Sequence, residues 1–267
     1  MDNRPIGVFD SGLGGLTVVK EIKNILQNEK IIYLGDTARI PYGTRSRETI
    51  IRYSKENTAF LMKFGIKCLV IACNTSSALA YQEVKKMVDI PVIDMIIPGS
   101  QGALLKSVKK TIGVIGTKGA IQSHAYKNTI IKKDPKAAVY EHSCPLFVPL
   151  IEEGEISGRL IEIVAKKYFS YFDKLEIDTL IMGCTHYPII HSVIKNALKR
   201  KVKLINPGVE AAKTLFNLLT SSNSLAGKSN GRDVYYLTDL STNFIKTAEK
   251  YLGYKIEKNI KKVTLDN

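Results

Sequence analysis

Leu69-Val70-Ile71-Ala72-Cys73-Asn74-Thr75 and Leu180-Ile181-Met182-Gly183-Cys184-Thr185-His186 decide the fold of this chain. Each is an apolar run of strand length that ends in cysteine, followed by hydroxyl or amide residues able to start a helix. Two further matches keep the same order: Ile6-Gly7-Val8-Phe9-Asp10-Ser11 with Ile112-Gly113-Val114-Ile115-Gly116-Thr117, and Val92-Ile93-Asp94 with Leu204-Ile205-Asn206. Short strands resemble one another by chance, but three matches in one order point to two related halves.

Working outward, strands are predicted at Ile6 to Asp10, Ile31 to Gly35, Cys68 to Cys73 and Pro91 to Asp94 in the first half. The second half offers Ile112 to Gly116, Ala137 to His142, Thr179 to Cys184 and Val202 to Asn206. Amphipathic stretches of helical length separate them, which is the alternation of an α/β fold with mostly parallel sheets covered by helices. Pro98-Gly99 and Asn206-Pro207-Gly208 punctuate the ends of the repeated block. The expected division is a discontinuous first α/β domain, residues 1–97 plus 207–267, and a second of similar three-layer build, residues 98–206. The returning segment carries a predicted helix from Val209 to Leu219, a surface loop from Ser221 to Gly231 and a strand from Val234 to Leu237.

Composition bounds the function. With 45% hydrophobic and 24% charged residues the chain has the balance of a soluble globular protein. No apolar segment approaches bilayer length and no basic start leads into one, so a cytoplasmic protein without a membrane partner is expected. The first strand is reached within a few residues, and no long regulatory extension is expected ahead of it. Cys68, Cys73, Cys144 and Cys184 form no Cys-x-x-Cys pair, and reduced thiols are the simplest state. The formal charge is +14, but the excess is mostly Lys scattered over many helical faces rather than an Arg-rich strip with aromatics. Nucleic acid is therefore not the expected partner, whereas a positive surface raises the local concentration of a small anion.

In open α/β sheets, ligands bind beyond the carboxyl ends of the strands, where Cys73 and Cys184 both fall. A thiol at a helix N-terminus gains from the dipole, so its pKa should fall and a thiolate become accessible near neutral pH. Cys68, at the start of its strand, and Cys144, beside Pro145, read as small apolar core residues. A dinucleotide site is the rival, because Gly12-Leu13-Gly14 follows a strand and Asp36 ends the next. That fingerprint fails at its third glycine, where Thr17 stands.

Asp10-Ser11-Gly12-Leu13-Gly14-Gly15, Pro41-Tyr42-Gly43, Cys73-Asn74-Thr75, Cys144-Pro145-Leu146 with Glu152-Glu153-Gly154, and Gly183-Cys184-Thr185-His186 together resemble the glutamate racemase family over almost the whole chain. The related aspartate racemases typically carry Glu where His186 stands here, which favours glutamate. The resemblance implies two like domains facing each other across the site, a homodimer, no metal or other cofactor, and a role in making D-glutamate for bacterial peptidoglycan. It implies Cys73 and Cys184 as the catalytic pair, with Asp10 and His186 tuning them. It also implies substrate contacts from Asp10, Ser11, Pro41, Tyr42, Gly43, Asn74, Thr75, Thr185 and His186, with Asp36, Glu152 and Thr117 as possible auxiliaries.

The chemistry fits that arrangement. Inverting an α-carbon requires a base on one face and an acid on the other, so two groups must flank the substrate. Backbone N–H groups at helix starts, near Asn74, Thr75 and Thr185, are suited to hold the α-carboxylate as negative charge develops. His186, near a helix start, is expected as a neutral imidazole. Which cysteine serves which enantiomer stays open at this level.

Overall fold

The computed structural model describes residues 1–227, 231–240, 248–249 and 251–265. Ten strands form two sheets, and every pairing among them is parallel. The first sheet contains β1 (Ile6–Asp10), β2 (Ile31–Gly35), β3 (Cys68–Ile71), β4 (Val92–Ile93), β9 (Val234–Leu237) and β10 (Ile260–Lys262) in the order β10-β9-β2-β1-β3-β4. The second contains β5 (Thr111–Gly116), β6 (Ala138–Ser143), β7 (Thr179–Gly183) and β8 (Lys203–Ile205) in the order β6-β5-β7-β8. The repeat seen in the sequence is a repeat in space, because β2-β1-β3-β4 and β6-β5-β7-β8 are the same arrangement. Register agrees as well: Gly7 pairs with Leu69 as Gly113 pairs with Leu180, and Leu69 pairs with Val92 as Leu180 pairs with Leu204.

Side-chain alternation along each strand feeds two cores, one on each face, as parallel sheets require. In the first sheet Ile6, Val8, Ile31, Tyr33 and Val70 pack against helices Gly15–Ile25 and Pro207–Ser221. Phe9, Ile32, Leu34, Leu69 and Ile71 face the other way, toward helices Arg47–Met62 and Asn74–Lys85. The second sheet repeats this, with Leu180 and Met182 against Phe147–Glu152, Arg159–Phe169 and His191–Ala197. On its opposite face Ile112, Val114 and Ile181 meet Ile96–Lys106 and Ala125–Lys133. Cys68 and Cys144 are fully buried in these cores, and burial pushes the Cys68 thiol up to about 12.

The helix predicted from Val209 to Leu219 runs from Pro207 to Ser221, with Pro207 in its first turn and the Asn206 side chain accepting from Gly208 N–H at 2.9 Å. It therefore extends into the predicted loop from Ser221, of which residues 228–230 lie outside the described set. The strand β10, made of Ile260-Lys261-Lys262, carries too weak an apolar signal to be foreseen. Among the described residues no helix is long and apolar enough to cross a membrane.

The two sheets meet with their carboxyl ends toward a common seam, and glycines make that approach possible. A Cβ on Gly14 would press on Thr185 Oγ1 and stand 2.5 Å from His186 Nδ1; one on Gly43 would stand 2.6 Å from Thr117 Cβ. Gly14→Ala should accordingly destabilise the protein by about 1–3 kcal/mol in denaturant unfolding, as overpacking does. Gly227→Ala, whose new methyl would meet Met1 Sδ at 3.3 Å and Asn3 Oδ1 at 3.9 Å, both side-chain atoms, should stay within about 0.5 kcal/mol of the parent.

Candidate active site

The glycine-rich turn after β1 is organised by Asp10. Its Oδ2 accepts from the backbone N–H of Gly12 at 3.1 Å and of Gly15 at 2.8 Å, which pins the turn that opens helix Gly15–Ile25. Its Oδ1 accepts from Thr185 Oγ1 at 3.4 Å, and Thr17 Oγ1 donates to the Thr185 carbonyl at 2.9 Å. The turn is thus filled by contacts to the other lobe, and Tyr33 OH caps the Gly12 carbonyl. A pyrophosphate could not approach here without parting the lobes, which removes the dinucleotide alternative on steric grounds.

Between the lobes lies a cavity of about 160 Å³. Cys73 and Cys184 both line it, with Ser11, Pro41, Tyr42, Gly43, Asn74, Thr75, Thr117, Glu152, Thr185 and His186. Every sequence-predicted site residue is therefore on its wall except Asp10 and Asp36. Asp10 sits just behind, wholly buried. Asp36 is buried deeper and acts through others: it binds Arg39 Nε at 2.7 Å and Thr238 Oγ1 at 3.0 Å, and accepts from Tyr42 OH, so it sets the loop that carries Pro41 to Gly43. Thr75 and Thr117 hydroxyls meet across the seam at 2.9 Å, and Tyr126 OH donates to Asn74 Oδ1 at 2.6 Å. Sequence reasoning missed Lys118, Ile40, Thr44, Val148 and Pro149, which also line the cavity. The repeat could have found Lys118, because Thr117 aligns with Ser11 and the residue after it occupies the same strand-end loop.

The two thiols sit differently. Cys73 is the N-cap of helix Asn74–Lys85, as foreseen, and its Sγ lies 3.9 Å from Ser11 Oγ. The expected fall in its pKa is overturned: burial and then the Asp10 carboxylate push it up to about 12, against the weaker help of Ser76 at the helix start. Desolvation of a thiolate outweighs one helix terminus. Cys184 is not followed by the expected α-helix. A short 3₁₀ turn, Tyr187–Ile190, intervenes before helix His191–Ala197, so His186 replaces a long helix dipole as its neighbour.

His186 corrects a second expectation. Its Nδ1 is 3.8 Å from Cys184 Sγ and its Nε2 is 3.0 Å from Glu152 Oε1, in a ring only 4% exposed. Burial alone would disfavour the cation, but the Cys184 sulfur and the Glu152 carboxylate outweigh it and raise the imidazole to about 10. His186 is thus an imidazolium at neutral pH, not the neutral ring anticipated from a helix start. Asp10 is pushed up by burial and held back in part by the His186 charge and the N–H groups of the turn.

Two parallel sheets, each presenting a strand-end cysteine to one cavity between them, define a two-lobed α/β enzyme. The pattern of the Asp/Glu/Hydantoin racemase family matches residues 6–215, and the chain belongs to that family. It is 46% identical to the glutamate racemase of Aquifex aeolicus over 96% of either chain. It is 42% identical to the glutamate racemase of Geobacter metallireducens, over 95% of this chain and 94% of that one. The crystal structure of glutamate racemase from Francisella tularensis, in complex with D-glutamate, superposes with a TM-score of 0.94 at 46% identity, covering 100% of this chain and 99% of that one. The resemblance seen in the motifs is borne out.

Removing the Glu152 charge should release His186. Glu152→Gln is expected to move the basic limb of the activity–pH profile to lower pH, because the cation then loses one of its two anionic partners, with turnover on that limb falling about tenfold for each pH unit the limb moves and little change at neutral pH. An unchanged profile would assign Glu152 to packing alone.

Proposed function

We propose that this isomerase interconverts L- and D-glutamate by a two-base reaction in which Cys73 and Cys184 take the proton from one face of the α-carbon and return it to the other. The observation that carries this is the placement of one strand-end cysteine from each sheet on the wall of a single cavity. The names of the close relatives add the substrate, because the glutamate racemases of Aquifex aeolicus and Geobacter metallireducens match nearly end to end.

The resting charges are unequal, which a one-directional turnover needs. With Cys73 held at about 12 it is a thiol, ready to donate, while the His186 imidazolium places positive charge 3.8 Å from Cys184 Sγ. Abstraction at one sulfur and donation at the other leave the pair in the opposite state, from which the reverse direction starts. Asn74, Thr75 and Thr185 are assigned to the α-carboxylate, and Ser11, Pro41, Tyr42 and Gly43 to the remaining substrate contacts, probing distances set by the seam. Asp10 and His186 tune the thiols, and Asp36, Glu152 and Thr117 support the loops and rings that do so. Backbone N–H groups stabilise the developing carbanion, so the scheme needs neither pyridoxal phosphate nor metal.

The wider assignment goes with it: a cytoplasmic homodimer that supplies D-glutamate for bacterial peptidoglycan, built of a discontinuous domain (1–97 plus 207–267) and an inserted one (98–206). The second sheet, β5 to β8, lies wholly within the inserted range, and helix Pro207–Ser221 returns to the core of β1.

A chiral assay of purified protein with L-glutamate and no added cofactor tests the activity; turnover is expected on glutamate and much slower on aspartate. Equal rates on both, or loss of activity on exhaustive chelation, would overturn the assignment. Cys73→Ala and Cys184→Ala should each abolish racemisation while leaving one base, so that in deuterated water the two variants exchange the α-proton of opposite enantiomers. Substantial racemisation by either folded variant would sink the two-cysteine scheme.

A further inference from the structure

We propose that Lys118, with Arg45 beside it, forms a cationic mouth that captures the dicarboxylate substrate and acts on its access to the cavity rather than on proton transfer. This rests on the glutamate reading above and adds to it the residues that admit the substrate.

Among the described residues Lys118 is the only Lys or Arg on the cavity wall, and Glu152 the only carboxylate. Glu152 is committed to His186 at 3.0 Å, so those two charges offset each other and Lys118 leaves the wall with a net positive group. Its backbone position is fixed at the seam: it directly follows Thr117, whose hydroxyl meets Thr75 of the other lobe at 2.9 Å, and it opens the short helix Lys118–Gln122. Its side chain is exposed and makes no hydrogen bond or ion pair with any described residue.

Arg45 stands in the same relation to the opposite lip. Thr44 lines the cavity, and Arg45, the next residue, lines an open groove together with Gly119, the residue after Lys118. Groove and cavity therefore adjoin along both lips, one from each lobe. The Arg45 guanidinium also has no side-chain partner among the described residues. Several other cations are already engaged: near the first sheet Arg39 with Asp36 and Glu56 and Lys67 with Glu29, and near the second Lys106 with Glu210. Arg47 lines the groove too but shares its surroundings with Glu48.

The overall charge of +14 cannot do this work on its own. At ~0.1 M salt the screening length is ~10 Å, so charges scattered over distant helices are largely invisible to an anion at the mouth. Only cations within that distance, free of carboxylate partners, raise its local concentration. Glutamate carries two carboxylates and one ammonium, and two lip cations suit that net anion.

The test compares Lys118→Gln, Arg45→Gln and the double variant with the parent in steady-state racemisation of glutamate from ~20 mM to ~0.5 M salt. The double variant is expected to lose about three- to tenfold in kcat/KM at low salt, with the loss in KM, and to show a flattened salt dependence that meets the parent's at high salt. Lys118→Glu combined with Arg45→Glu, with its thermal unfolding matched to the parent, should invert the slope so that kcat/KM rises with salt. Unchanged kcat/KM, a double variant that keeps the parent's salt slope, or a loss in kcat that no salt removes would each overturn the proposal. Should the parent fail to racemise glutamate, the functional reading falls and this falls with it; an active parent with indistinguishable variants overturns the capture role alone.

Discussion

Two separately folded sheets must bring their carboxyl ends close enough for one small molecule to touch both, and the rest of the structure depends on that contact. Side chains at the seam leave little room for it. Gly14 lies under Thr185 and His186, and Gly43 under Thr117, at distances where a single methyl group would force the lobes apart. Hydroxyls then pin the closed seam, Thr17 to the Thr185 carbonyl, Thr185 to Asp10 and Thr75 to Thr117. Because these bonds are made by the residues that line the cavity or stand directly behind its wall, lobe position and site geometry are one property. A glycine-rich turn after a first strand, which elsewhere cradles a pyrophosphate, here serves to admit a neighbouring lobe.

Closure has an electrostatic cost that shapes the chemistry. Excluding water raises the Cys73 thiol and the Asp10 carboxyl alike, since both must lose solvent to ionise. His186 escapes the same penalty because the Cys184 sulfur and Glu152 stand on either side of its ring. The two thiols therefore differ although the strands that carry them are equivalent in order and register. Symmetry of the fold supplies the two positions, and asymmetry of the loops supplies their different neighbours, Ser11 beside Cys73 and His186 beside Cys184.

Much of this was legible in the sequence because it depends on local pattern. The strands β1 and β2 have the predicted ends, and the repeat predicted two related halves, which the structure shows to share one strand order. Strand ends near Cys73 and Cys184 were read two and one residues too long, since Ala72-Cys73 and Cys184 continue an apolar run after ladder pairing stops. What could not be read is what depends on neighbours distant in the chain. The sign of the shift at Cys73 comes from burial and Asp10, 63 residues away in sequence by position (73 − 10), not from the helix start beside it. The charge of His186 depends on Glu152, which sequence reasoning left as a minor candidate. β10 was missed because Ile260-Lys261-Lys262 is an edge strand whose lysines carry no core signal.

A bound amino acid would alter these charges in a direction that favours reaction. Burial keeps Cys73 protonated and biases Asp10 the same way. An α-amino acid brings an ammonium with its carboxylate, and a cation near Asp10 favours the ionised carboxylate there. An ionised Asp10 in turn strengthens the protonated form of the Cys73 thiol beside it, the donor state in the proposed two-base scheme. In that scheme the ammonium of the substrate thus reinforces, through Asp10, the protonated Cys73 that burial already favours.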